Sequence, residues 1–204
     1  MGLNKGIVLI FRKGFEDKCY QLLIDAYNKI ISDKINVSIL DEDDISALLN
    51  NNIELNPKSI EWEIDSKTEY YIFKDNLVIK KGFAKKQSRI DFVFSIFTME
   101  SKFKYFIEAK NLKEKNDSGL KRRYINTGID NFVTKKYENG SLVGYLVNGD
   151  LTKTIQGINT LLKKDGRNSE CLIENKIQKH TDYYESKHKE IGMLKHLIFN
   201  FSNN

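Results

Sequence analysis

The chain has 204 residues, 40% hydrophobic and 30% charged, with a formal net charge of +5 and one proline, Pro57. A chain of this length buries roughly 70% of the surface its unfolded form exposes, so a disordered or Pro-rich linker protein is excluded and one domain spanning 1–204 is expected. No apolar stretch nears the roughly 20 residues of a membrane helix, the run at residues 6–11 is too short for a secretory leader, and Cys19 and Cys171 form no ligand pattern, which together predict a soluble, cytoplasmic protein with reduced thiols and no membrane partner.

Residues 5–12 read as a short buried strand or loop. From 16 to 32, Cys19, Leu22, Leu23, Ala26, Ile30 and Ile31 recur at the spacing of one helix face. Asp41, Glu42, Asp43 and Asp44 suit the positive end of a helix dipole and predict a second helix there. It carries Ile45, Leu48 and Leu49 inward and stops at three consecutive asparagines, 50–52. The period then changes. Aromatic and β-branched runs at 69–73 and 76–80, then apolar runs at 89–97 and 105–112, predict an antiparallel meander, with 98–104 as a hairpin connection.

A basic loop follows at 113–123, then a helix near 125–137 and a strand over 141–148 introduced by Asn139 and Gly140. Gly149 and Asp150 close that strand. A helix is expected at 151–164, with Ile155, Ile158, Leu161 and Leu162 inward, then a polar helix over 170–187 and a last strand over 193–201. No internal repeat interrupts this order. The fold class expected is α/β, a mixed sheet flanked by helices. Its core spans about 41–165, with the C-terminal helix and strand of 170–201 packed on it.

The segments at 89–94 and 106–112 place Asp91, Glu108 and Lys110 inside hydrophobic strands, where an unpaired charge is costly. Alternation puts Glu108 and Lys110 on one face, about 7 Å apart. If the two strands are neighbours, Asp91 lies beside Glu108. Two converging carboxylates repel unless a cation separates them or one is protonated. A hard divalent ion, Mg²⁺ or Mn²⁺, resolves the conflict through oxygen ligands. Lys110 could then hold the attacking water and offset charge growing on a phosphate. That is a kit for phosphodiester hydrolysis. The competing reading is a cross-strand ion pair with no chemistry.

The pattern Asp91, sixteen residues, Glu108, Ala109, Lys110 resembles the PD-(D/E)XK (restriction-endonuclease-like) nuclease superfamily. Ile90 stands where the family name has proline. The resemblance covers about 41–165 and implies an α-β-β-β-α-β core. It implies metal binding by Asp91, Glu108 and the Ala109 backbone carbonyl, with Lys110 near the water. Some members add an acid from the helix before the meander; here the candidate region is 41–44, where Asp41 and Asp44 share the face of Ile45 and Leu48 while Glu42 and Asp43 point elsewhere, and Asp44 is favoured. Gln156 could play the secondary polar role found on the last core helix of related nucleases.

Lys113, Lys115, Lys121, Arg122 and Arg123 follow the second charged strand and could grip a phosphate backbone. The next segment, 124–132 with Lys135, Lys136 and Tyr137, puts basic and aromatic side chains near the same opening; Tyr124 is a candidate for stacking or phosphate contact, and Phe132 for the core. The mild positive charge permits a nucleic-acid partner without demanding one. His180, His188 and His196 are spaced by eight and predict no zinc site; His196 reads as a hydrogen-bonded strand histidine. No nucleophile elbow and no phosphate-cradling Gly-Lys-Ser/Thr loop occurs.

The resulting expectation is a Mg²⁺-dependent endonuclease, with DNA favoured over RNA, working as an antiphage-defence or restriction effector. With no reader module in the sequence, specificity would come from a homodimer or a companion sensor or ATPase. The alternatives are a structure-selective repair nuclease or junction resolvase, and a non-cleaving nucleic-acid-binding or assembly subunit that keeps the fold.

Overall fold

The computed structural model describes residues 5–72, 87–98, 102–115 and 118–202. Three helices come first: α1 (Lys5–Ser32), α2 (Glu42–Glu54) and α3 (Pro57–Glu61). The meander is β1 (Ile64–Ile72), β2 (Ser88–Phe97) and β3 (Lys102–Lys113). A broken helix follows: α4 (Ser118–Arg123), a π-helical turn (Tyr124–Ile129) and α5 (Asp130–Val133). Then come β4 (Gly140–Asn148), α6 (Leu151–Lys164), β5 (Ile173–Ile177), β6 (His180–His188) and β7 (Gly192–Asn200).

The seven strands form one mixed sheet in the order β1-β2-β3-β4-β7-β6-β5. β3, β4 and β7 run parallel at its centre, and the outer pairs are antiparallel. Both sheet faces are covered, as a sheet with a parallel centre requires. One core joins α1 and α2 to Phe92, Phe94, Ile107, Val143, Tyr145 and Leu197. The other joins the π-helical turn and α6 to Val93, Phe106, Leu142, Leu146 and Ile198. Among the described residues, no helix is long and apolar enough to cross a membrane. Cys19 and Cys171 are unpaired thiols.

Three expectations need correction. Residues 5–12 are the first turns of α1, with Ile7, Leu9 and Ile10 exposed rather than buried. Once 16–32 has nucleated a helix, each added residue gains a hydrogen bond without a second nucleation cost, so the helix runs back through the apolar segment. The polar helix over 170–187 is instead the hairpin β5–β6. Its charged residues hid Ile173, Ile177, Thr181, Tyr183 and Tyr184, residue types that favour strands, and Lys179 takes a positive φ of 65° in the tight turn. Finally, the helix near 125–137 ends at Val133 and begins with a π-helical turn, and α4 occupies part of the supposed basic loop. The strand expected at 76–80 lies outside the described residues.

Gly140 opens β4 with φ 146°, and a Cβ there would lie 2.1 Å from the Phe106 carbonyl oxygen. Only glycine lets β4 enter that close to β3.

Candidate active site

β2 and β3 pair antiparallel in a register that sets Phe92 opposite Ile107 and Val93 opposite Phe106. Ile107 and Ala109 face the α1/α2 core, while Phe106 and Leu112 face the other core. Strict alternation therefore puts Glu108 and Lys110 on the Phe106 side, and Asp91 on the side of Val93, which is the same side. The Lys110 ammonium lies 2.9 Å from Glu108 Oε1 and 3.4 Å from Asp91 Oδ2. Both carboxylates thus aim at one nitrogen from adjoining strands.

Asp91 is fixed from behind, because the Ala109 N–H donates to its Oδ2 at 2.6 Å. The Ala109 carbonyl accepts from the Lys110 ammonium, so all the residues of the 108–110 segment contribute to one cluster. A third acid joins from α2. Glu42 Oε1 is 3.2 Å from the Lys110 ammonium, and Glu42 Oε2 accepts from the Asn111 N–H at 2.8 Å. Arg123 closes the opposite side, donating to Glu42 Oε1 at 2.9 Å.

Asp44 is not the helix acid of the cluster. Asp41 is the N-cap of α2 and accepts from the Asp44 N–H, while Asp44 reaches back to the Asp41 N–H. This reciprocal capping box consumes both side chains. Glu42 then begins the buried stripe continued by Ser46, Leu49 and Ile53. The signal was present: an acid three residues after an N-cap aspartate belongs to the cap.

Glu108 has two further partners: Tyr137, expected near the opening, and Asn131, which the sequence did not single out. The Tyr137 hydroxyl donates to Oε2 at 2.8 Å, and Asn131 Nδ2 lies 3.4 Å from Oε1. Burial pushes the Glu108 carboxyl above its ordinary pKa, with Lys110 opposing and Asp91 reinforcing the rise. Burial disfavours the charged Lys110 ammonium, yet attraction from Asp91, Glu108 and Glu42 outweighs it and holds the lysine above its usual value. Burial also raises Tyr137, with the negative charge of Glu108 adding to it, so this phenol stays protonated and remains a donor.

These groups line a cleft of about 650 Å³, together with Arg89, Lys113, Thr127 and Lys136. Of the predicted phosphate-binding residues, Lys113 and Arg123 stand in its lining. Lys115 is exposed, outside that lining. Lys121 is buried and caps β3 by donating to the Lys113 and Glu114 carbonyls at 2.8 and 2.7 Å. Arg122 is paired with Asp165. Tyr124 is fully buried, with its hydroxyl 2.9 Å from His196 Nδ1, and so cannot stack on a ligand. Gln156 is exposed on α6, away from the cleft. Phe132 is in the core as expected.

The donor types suit a hard divalent cation: carboxylates of Glu42, Asp91 and Glu108, and the Ala109 carbonyl. Asn111 adds a buried Oδ1 that has no hydrogen-bond partner among the described residues. Over the whole cleft lining, five acids (Asp41, Glu42, Asp43, Asp91 and Glu108) face five cations (Arg89, Lys110, Lys113, Arg123 and Lys136). Among the described residues, no three His, Cys, Asp or Glu side chains are grouped as a ready ion cage; the acids are spaced by the lysine they share. Comparison with known proteins finds no matching family model, no matching curated protein and no matching solved structure.

Proposed function

We propose that the cleft hydrolyses phosphodiester bonds of nucleic acid, DNA before RNA, with Mg²⁺ or Mn²⁺ as cofactor. The observation that carries this reading is the meeting of Asp91 and Glu108, from neighbouring strands, at the ammonium of Lys110. The resemblance to the PD-(D/E)XK nucleases supports it, and so does the succession α2, β1, β2, β3, broken helix and β4.

Asp91, Glu108 and the Ala109 carbonyl would hold the ion, with Glu42 as the acid supplied by the helix. When bound, such an ion polarises a phosphoryl oxygen and lowers the pKa of water. The chain's own groups do the rest. Glu108 is held by the Tyr137 hydroxyl at 2.8 Å and the Lys110 ammonium at 2.9 Å, so its carboxylate is oriented toward the point that Asp91 also faces. Lys110 remains cationic beside it and offsets negative charge that grows on the phosphate. Lys113 and Arg123, at the mouth of the cleft, give the phosphate backbone its first cationic contacts.

The test is cleavage of circular, linear, branched and single-stranded substrates with Mg²⁺ or Mn²⁺, alongside calorimetric titration of the metal. Wild-type protein should cut at least one substrate. Asp91→Ala should lower cleavage by about 100-fold or more, in the range seen when a charge-stabilising group is removed, and should abolish metal binding. A wild-type chain that binds neither ion and cuts nothing would reduce the cluster to a structural ion pair.

A further inference from the structure

A second, larger concavity of about 1010 Å³ opens beside the cleft. α1 supplies Arg12 and Lys13 to its wall, and the start of β3 supplies Lys102 and Lys104. Lys135 and Lys136 come from the turn after α5, and Lys195 comes from β7. Glu16 and Glu138 are the only acids among the described lining residues. Glu16 is already engaged: it accepts from the Tyr20 and Tyr105 hydroxyls at 2.9 and 2.6 Å and pairs with Lys195 at 2.7 Å. The other six cations have no acidic partner among the described residues.

Rings hold several of these cations in place. Arg12 sits 5.9 Å over Phe103, Lys104 sits 4.8 Å over Tyr70, and Lys136 sits 5.2 Å over Tyr137. Such contacts restrain long side chains without neutralising them. These six cations, from three separated stretches of sequence, outnumber the one remaining acid among the described lining residues, Glu138, and make a focused positive field.

The groove is continuous with the cleft. Lys136 lines both, and Tyr137, in the groove wall, donates to Glu108 in the cleft. We infer that the groove is a phosphate-backbone exosite, holding the stretch of nucleic acid that flanks the phosphate presented to Lys110. The inference rests on the nucleic-acid reading of the cleft and adds the path of the strand. That path runs from Lys136, shared by both concavities, to Lys104 and Arg12, which line the groove and not the cleft.

Binding separates this proposal from cleavage. Labelled 20-mer duplex and single-stranded DNA are titrated by fluorescence anisotropy in metal-free buffer with chelator, from 50 mM to 1 M salt. The triple variant Arg12→Ala, Lys13→Ala, Lys135→Ala removes exposed side chains only. It should bind at least about tenfold more weakly near 100 mM salt, and its log–log salt slope should be shallower by about 2 to 3, close to one unit per phosphate contact. The control Lys163→Ala, Lys164→Ala, at the exposed end of α6, should bind like wild type. Equal binding by wild type and the triple variant overturns the exosite, as does tighter binding to anionic lipid vesicles than to either DNA. Failure of the cleavage assay alone leaves this result standing, because no turnover enters it.

Discussion

Lys110 carries the largest burden of any single side chain. It is 4% exposed and faces three carboxylates. Removing one partner of a buried ionic cluster is costly because the remaining charges stay buried and unpaired. Lys110→Ala should lower stability by about 3 to 5 kcal/mol in metal-free buffer, measured by urea unfolding, and several millimolar Mg²⁺ should restore part of that loss. A variant indifferent to Mg²⁺ would argue against cation binding among these acids. Glu42 and Asp44 provide a matched pair two residues apart, on different sides of α2. Glu42→Gln should reduce cleavage, since it touches Lys110 and Arg123. Asp44→Asn should leave cleavage unchanged and cost at most about 1 kcal/mol of capping, read by thermal melting.

At the scale of elements, the β6–β7 pair does more than complete the sheet. Ser186 on β6 sits 2.6 Å from His188 Nε2 and 2.7 Å from His196 Nε2 on β7. His196 Nδ1 meets the Tyr124 hydroxyl, and His188 Nδ1 lies 2.7 Å from Glu170 Oε2. One assignment of protons satisfies the series: Tyr124 donates to His196, His196 to Ser186, Ser186 to His188, and His188 faces the carboxylate. Both imidazoles are neutral in it. The chain ties the π-helical turn, and with it Arg123, to the far strands. Burial pulls His196 down to about 3, with His188 adding to the effect, and burial lowers His188 as well against the pull of Glu170. A histidine depressed in the folded state keeps its full contribution above the unfolded pKa, near 6.5. Below that pH the unfolded chain takes up protons that the folded chain refuses, so stability falls toward the folded value. Denaturant unfolding should therefore lose about 1 kcal/mol per pH unit from pH 6.5 to 5 on account of His196, and His196→Gln should flatten the slope. A wild-type stability that is flat over this interval would contradict the neutral buried network.

The whole molecule is organised by the parallel centre of its sheet. β3 is hydrogen-bonded to β4, and β4 to β7, so the last strand in sequence is a central strand in space. A chain truncated after residue 190 would strip β4 of its neighbour and expose both cores along that line. It should fail to fold, as judged by loss of a cooperative thermal transition. The same arrangement sets the site. The cleft draws on α2, β2, β3 and the helix after β3, while the basic groove draws on α1, β3, the turn after α5 and β7. Lys136 sits where the two meet.

Local pattern was enough for much of this. The strand pair bearing Asp91, Glu108 and Lys110, the turn at Gly140, and helix α6 over Leu151–Lys164 are set by alternation, by a glycine-demanding turn and by helical period. These are properties of a few adjacent residues. Phe132 and His196 declared their buried roles in the same way. Which helix acid joins the cluster, and which cations face a ligand, was decided by tertiary structure. Capping took Asp44, the end of β3 took Lys121, and the second core took Tyr124. Each choice turns on what lies across space from the residue. Of the basic groove only Lys135 and Lys136 were legible, since its other cations come from residues 12–13 and 102–104, and only chain folding sums their fields. Side-chain periodicity is a local quantity, whereas electrostatic convergence depends on distances between segments far apart along the chain.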